Sequence, residues 1–259
     1  PACRLKHPYG RSRSVNFRLL QRLGRTIGST TMTATRTKIG TITIGQAPRA
    51  DIAPLINDAL PPDVECLHVG VLDGLDAAQI AERFPASLGE SLLTSRLLDG
   101  SAVVMGKRAV RAGLTKKIAF LEEAGASLIL LLCTGEFDGL AAKKARLIEP
   151  DHVITPVVKA LAGSVTLGVM VPLAEQAQSE IRKWQATGMK LVFASASPYT
   201  ASAEDVQAAA RSLRDQGAEF IVLDCMGYRL EHKAWCREVV DVPVVASTDL
   251  MVHLLRAIV

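Results

Sequence analysis

Gly125-Ala-Ser-Leu-Ile-Leu-Leu-Leu-Cys-Thr-Gly135 and Gly217-Ala-Glu-Phe-Ile-Val-Leu-Asp-Cys-Met-Gly227 are two copies of one pattern, 92 residues apart. Gly, Ala, Ile, Leu, Cys and Gly coincide. Each copy reads as a glycine that closes a helix, a short apolar strand and a Cys-x-Gly turn. Any αβ unit uses glycine and apolar residues, so those positions alone prove little. A cysteine at the same C-terminal strand end in both copies is not explained that way. More loosely, Ile39-Gly-Thr-Ile-Thr-Ile44 matches Leu167-Gly-Val-Met-Val-Pro172. The chain therefore reads as an internal duplication, with a first half over 38–164 and a second over 165–259.

Working outward, strand-like and helix-like runs alternate. Ile39–Ile44, Val64–Val71 and Ser127–Leu132 read as strands of the first half. Pro48–Leu60, Asp76–Phe84 and Thr115–Ala124 read as its helices. In the second half the strands are Val165–Val171, Lys190–Ala194, Phe220–Leu223 and Val242–Ala246. The helices are Leu173–Thr187, Ala203–Gln216, Leu230–Val240 and Thr248–Ile258. Residues 85–111 are expected to form a helix near Leu88–Leu98 and then short strands or a hairpin at Ala102–Met105 and Ala109–Arg111. Repeated βα units imply an α/β fold of parallel sheets flanked by helices. With aromatics at 4%, the core must be aliphatic, which suits that architecture.

The net charge of +4 comes from the N-terminus. Residues 1–38 hold nine Lys/Arg and no Asp or Glu, leaving 21 basic against 26 acidic residues in the remainder. A body of that sign argues against nucleic-acid binding. Residues 1–37 read as a disordered basic extension, with Met32 within it as a candidate start. The longest wholly apolar run, Leu128–Cys133, is far too short to span a bilayer. Five widely spaced cysteines show neither a disulfide framework nor a CxxC zinc pair, and the expectation is a cytoplasmic protein with no metal.

Ligands of open α/β sheets bind at the C-terminal strand ends, where Cys133 and Cys225 stand. Two thiols from similar halves would face each other across a cleft. That suits proton transfer at an acidic carbon: one thiolate removes the proton, and the opposite thiol returns one to the other face. No cofactor is needed, and none has a signature here. Thr134, Gly135, Met226 and Gly227 follow the thiols directly. Gly45, Gln46 and Arg49 follow the first strand and are expected to meet a substrate carboxylate. Ser197, Tyr199 and Thr200 lie in a strand-end loop suited to an anionic group. Asp224 either orients a proton or opposes thiolate formation. His232 is expected at the surface, and Cys66 and Cys236 are expected to pack. Gly100–Lys107 fails as a phosphate loop, since five residues rather than four separate Gly100 from Gly106.

Ile42-Thr-Ile-Gly-Gln-Ala-Pro-Arg49, Leu72-Asp-Gly-Leu75, Lys107-Arg108, Leu132-Cys-Thr-Gly135 and Leu223-Asp-Cys-Met-Gly-Tyr228 together resemble the AroM family over about residues 38–259. AroM proteins resemble the aspartate/glutamate racemase superfamily, with its hydantoin racemases, maleate isomerases and arylmalonate decarboxylases. The resemblance implies two pseudo-symmetric flavodoxin-like halves with a catalytic site between them. It carries over the two cysteine positions, whereas the residues flanking them differ from the superfamily's usual Cys-Asn-Thr and Gly-Cys-Thr-His. The expected activity is that of a cofactor-independent isomerase, or a lyase, on a small carboxylate or amino acid, with a homo-oligomer among the expected states. The alternative is a ligand-binding or regulatory protein that keeps the cleft without turnover.

Overall fold

A computed structural model of the chain describes residues 37–87 and 89–259, apart from the side chains of 178 and 179. The expected basic extension lies outside the described residues except for Thr37, which opens the first strand. The first sheet contains β1 (Thr37–Thr43), β2 (Val64–Gly70), β5 (Leu128–Leu132) and β6 (Arg146–Ile148), in the order β2-β1-β5-β6. The second contains β7 (Leu167–Val171), β8 (Leu191–Ser195), β9 (Phe220–Leu223) and β10 (Val244–Ala246), in the order β8-β7-β9-β10. Every pairing within these two sheets is parallel. The two orders are the same once each sheet is numbered from its own first strand.

The registers agree as well. Ile39 pairs with Leu128 in the first sheet and Leu167 with Phe220 in the second, and both pairs occupy matching places in the repeats. Helix α3 (Lys107–Glu123) precedes β5 as α6 (Ala203–Asp215) precedes β9. Each ends at a glycine with positive φ, Gly125 at 90° and Gly217 at 88°. The next amide then reaches back to the helix, Ala126 to the Leu121 carbonyl and Ala218 to that of Leu213. Gly40 and Gly168 sit at equivalent strand positions beneath these helices. A Cβ at Gly40 would stand 2.5 Å from Leu121 Cδ1, and one at Gly168 would stand 2.9 Å from the Ala218 Cβ.

Helices α1 (Ala53–Ala59), α2 (Ala77–Arg83), α4 (Pro150–Ala162), α5 (Ala177–Gln185), α7 (Leu230–Arg237) and α8 (Ser247–Ile258) complete the layers. The last helix of each half packs on the first helix of the other: α4 on α5, and α8 on α1. One aliphatic core accordingly runs through both halves, from Ile39, Leu130 and Leu132 to Leu167, Val169 and Val222.

The sequence reading of 85–111 needs correction. Residues 92–96 are not helical: they form β3 (Leu92–Arg96), antiparallel to β4 (Ala102–Gly106). Asp99-Gly100 supplies the turn, with Gly100 at φ 87°. Leu88 itself lies outside the described residues. Ala109–Arg111 belongs to the first turns of α3 rather than to a strand, with Val110, Leu114, Ile118 and Leu121 forming its buried stripe. The hairpin is an insertion that the second half lacks. The end of the first half, unassigned in the sequence reading, holds β6 and α4. Pro150 starts that helix where no N–H is missed, and Pro156 interrupts its hydrogen bonding, which obscured the pattern.

Candidate active site

Each Cys-x-Gly turn folds onto its own sulfur. The Gly135 N–H donates to Cys133 Sγ at 3.4 Å and the Gly227 N–H to Cys225 Sγ at 3.3 Å. The two turns follow β5 and β9, the strands beside the chain-order reversal of each sheet, where an open α/β sheet leaves a crevice. Cys133 and Cys225 line one cleft, together with Ile44, Thr94, Ser95, Thr134, Pro172 and Tyr199. Gln176, Glu180 and Asp224 add polar atoms. The cleft is closed down to room for about one water.

Burial pushes the Cys133 thiol up to about 12, against the pull of the Gly135 amide. Burial raises Cys225 too, but Gly227, the Arg49 guanidinium and the Tyr199 hydroxyl all favour its thiolate. Tyr199 Oη lies 3.9 Å from Cys225 Sγ, and Arg49 stacks on the Tyr199 ring at 5.4 Å. Arg49 is itself buried and held by Asp51 through both Nε and Nη2, at 2.7 and 2.6 Å.

Beneath the thiols lies a buried charge cluster. Lys183 Nζ is 2.6 Å from Asp224 Oδ2 and 2.5 Å from Glu180 Oε2, and it donates to the Thr134 carbonyl at 3.0 Å. The Trp184 indole donates to Asp224 Oδ2 at 2.7 Å. The Thr134 hydroxyl donates to the Asp224 carbonyl, tying one strand end to the other. One lysine faces two carboxylates. Burial opposes the lysine charge, yet both carboxylates together hold its pKa above normal. Burial and the Asp224 charge raise Glu180 to about 7.

Of the residues singled out from sequence, Cys133, Thr134, Gly135, Tyr199, Asp224 and Cys225 meet in the cleft. Gly227 reaches it through its amide, and a Cβ there would stand 2.7 Å from the Tyr199 ring. The others lie elsewhere. Gln46 bridges loops, donating to the Leu72 and Leu75 carbonyls and accepting from the Leu98 N–H. With Arg49 it borders a neighbouring depression that also holds Arg96 and Arg229. Gly45 makes room for the hairpin, since a Cβ there would stand 2.3 Å from the Arg96 carbonyl oxygen. Ser197 accepts the Tyr199 N–H, Thr200 is exposed, and Met226 is buried in the shared core. Contrary to expectation, His232 is 1% exposed, where it accepts the Arg229 N–H and packs edge-on to Tyr228 and Trp235. Cys236 is buried and Cys66 half-buried.

Thr94, Ser95, Glu180 and Lys183 were missed. The two hydroxyls lie on the misassigned hairpin. Glu180 and Lys183 stand at i and i+3 on a helix, a spacing that in sequence reads as a solvated pair.

Residues 39–259 match the family model described as AroM protein. No curated protein matches the chain by sequence. Among solved structures, a glutamate racemase from Bacillus anthracis is 14% identical with a TM-score of 0.58, over 86% of this chain and 82% of that one. A maleate isomerase from Pseudomonas putida is 11% identical with a TM-score of 0.54, over 85% and 92%. An allantoin racemase from Klebsiella pneumoniae is 16% identical with a TM-score of 0.53, over 85% and 86%. At these identities the likeness is one of fold.

Proposed function

This chain belongs to the AroM protein family, and we propose that it is a cofactor-independent isomerase, of racemase or epimerase type, acting on a small carboxylate or amino acid. The carrying observation is the pair of thiols in one cleft, each at the end of a central strand and each met by the amide two residues on. The Cys225 thiolate takes the proton from the acidic carbon and becomes a thiol. The electron pair is left on that carbon and its carboxyl group. Cys133 gives its proton to the opposite face and becomes the thiolate. The reverse reaction uses the same groups in exchanged roles.

Cys225 is the better starting base because Tyr199 and Arg49 support its charge. Cys133, pushed up to about 12, is the better resting acid. Once ionised in a dry cleft, either thiolate is a stronger base than in water, which suits removal of a proton from carbon. The Thr94 and Ser95 hydroxyls would meet the substrate carboxylate, and the hairpin that carries them would move for it to enter.

A second reading, a ligand-binding protein without turnover, draws on the same closed cleft and neutral thiols. Incubation in D₂O with small carboxylic and amino acids that raise the melting temperature separates the two. Incorporation of deuterium at the substrate carbon supports the isomerase. Saturable stabilisation with no incorporation from any binding compound sinks it.

A further inference from the structure

Glu149 joins β6 to α4 at the C-terminal edge of the first sheet, and Pro150, Asp151 and His152 open the first turn of that helix. Glu149 and Asp151 are 8% and 6% exposed, whereas His152 stands out in solvent. His152 Nδ1 lies 3.7 Å from Glu149 Oε1, and Nε2 lies 3.6 Å from Asp151 Oδ2. One donor atom from each of the three falls within 4.8 Å of the others. Glu149 Oε2 and Asp151 Oδ1 are both buried and have no hydrogen-bond partner. One turn further along α4, the Thr155 hydroxyl is buried without a partner as well.

A carboxylate oxygen taken out of water without a partner is costly, and two side by side are more so. Burial accordingly raises both carboxyls, and His152 pulls them back only in part. Lys183 acts on Asp151 from a distance, but its ammonium is bound to Glu180 and Asp224. The positive end of α4 disfavours a cation here, yet it amounts to about half a charge against two carboxylates. The exposed imidazole is free to turn one nitrogen toward both acids.

We propose that Glu149, Asp151 and His152 form a binding site for a first-row divalent metal ion, with water completing its coordination. Two oxygens and an imidazole suit Mn²⁺ or Zn²⁺ better than Ca²⁺ or Mg²⁺, which prefer all-oxygen sets. Bonds of about 2.0–2.2 Å place neighbouring donors about 3–3.5 Å apart, so the donors, now within 4.8 Å of one another, close on the ion by a turn of the exposed imidazole. The ion would neutralise the buried pair and fasten α4 to the edge of the sheet. The site is separate from the thiol cleft and does not depend on the reaction assigned to it.

The test uses the full chain stripped with chelator, then titrated with Mn²⁺ or Zn²⁺ alone and followed by calorimetry, electron paramagnetic resonance for Mn²⁺, and melting temperature. One equivalent should bind saturably and raise the melting temperature. His152→Ala, an exposed change, and Asp151→Asn, close to isosteric, should each weaken binding at least about tenfold. The double variant Cys133→Ser/Cys225→Ser should bind as the parent does. Absence of saturable binding, binding unchanged in both ligand variants, loss in the cysteine variant, or preference for Ca²⁺ or Mg²⁺ would each overturn the proposal.

Discussion

The Lys183 ammonium lies 2.6 Å from the Asp224 carboxylate, with Lys183 on α5 and Asp224 just beyond β9, and both are buried. Asp224 immediately precedes Cys225, so this ion pair sits under one thiol while the Thr134 carbonyl, beside the other, accepts from the same lysine. Lys183→Met would strand two buried carboxylates. The expected loss is about 3–5 kcal/mol in the unfolding free energy, read from the urea midpoint. A loss under about 1 kcal/mol would mean that the cluster is solvated.

Glu180 adds a dependence on pH. Its carboxyl is raised from 4.5 to about 7 in the folded chain. Between those values the folded state keeps a proton that the unfolded state releases. Its contribution is therefore full below about 4.5 and is lost as pH rises toward 7. Urea titrations across that window should show Glu180→Gln with a flatter fall in stability than the parent. Parallel curves would show that Glu180 does not hold its proton on folding.

The two thiols should be distinguishable by variant. Cys133→Ser and Cys225→Ser should each reduce inversion of a confirmed substrate by about 10²–10⁴. Each variant should still exchange deuterium into one enantiomer, and the preferred enantiomer should differ between them. Unimpaired turnover in both variants would make the thiols packing residues. Loss in one alone would describe a one-cysteine enzyme.

Tyr199→Phe removes a hydroxyl that favours the Cys225 thiolate. Site-resolved alkylation, followed by peptide mass spectrometry, should show the Cys225 profile moving to higher pH while that of Cys133 stays in place. Equal movement at both sites would point to a general loosening of the cleft.

Gly168→Ala would press a methyl against Ala218 and the underside of α6. An overpacked core commonly costs about 1–3 kcal/mol, measurable by chemical denaturation. A neutral result would show that α6 can shift on its strand.

Much of this frame could be read from the chain because duplication leaves the same marks twice. The Cys-x-Gly turns, the helix-closing Gly125 and Gly217, and the paired strand starts all kept their places. What escaped was non-repeated or depended on the third dimension. The hairpin occurs in one half only, and the spaced leucines over 88–98 suit a helix, which hid its Asp99-Gly100 turn. Lys183 and Glu180 look like ordinary surface charges until Asp224 and Trp184 arrive from across the fold. His232 looked solvated as a lone histidine, yet Tyr228 and Trp235 stand four residues before and three after it, the spacing at which side chains meet around a helix, and their rings cover it.

The hairpin formed by β3 and β4 breaks the likeness of the two halves, bringing Thr94 and Ser95 to one side of the cleft with no counterpart opposite. A racemisation has an equilibrium constant of one, so kcat/KM must be equal for the two mirror-image substrates however lopsided the pocket. The asymmetry can then appear only as matched changes in kcat and KM, one enantiomer bound more tightly and turned over more slowly by the same factor. For epimers, whose energies differ, that constraint shifts to the ratio their own equilibrium dictates. Measuring both directions of any reaction found would thus report on the asymmetry of the cleft, to which the hairpin on one side and the Tyr199 and Arg49 pair beside Cys225 both contribute.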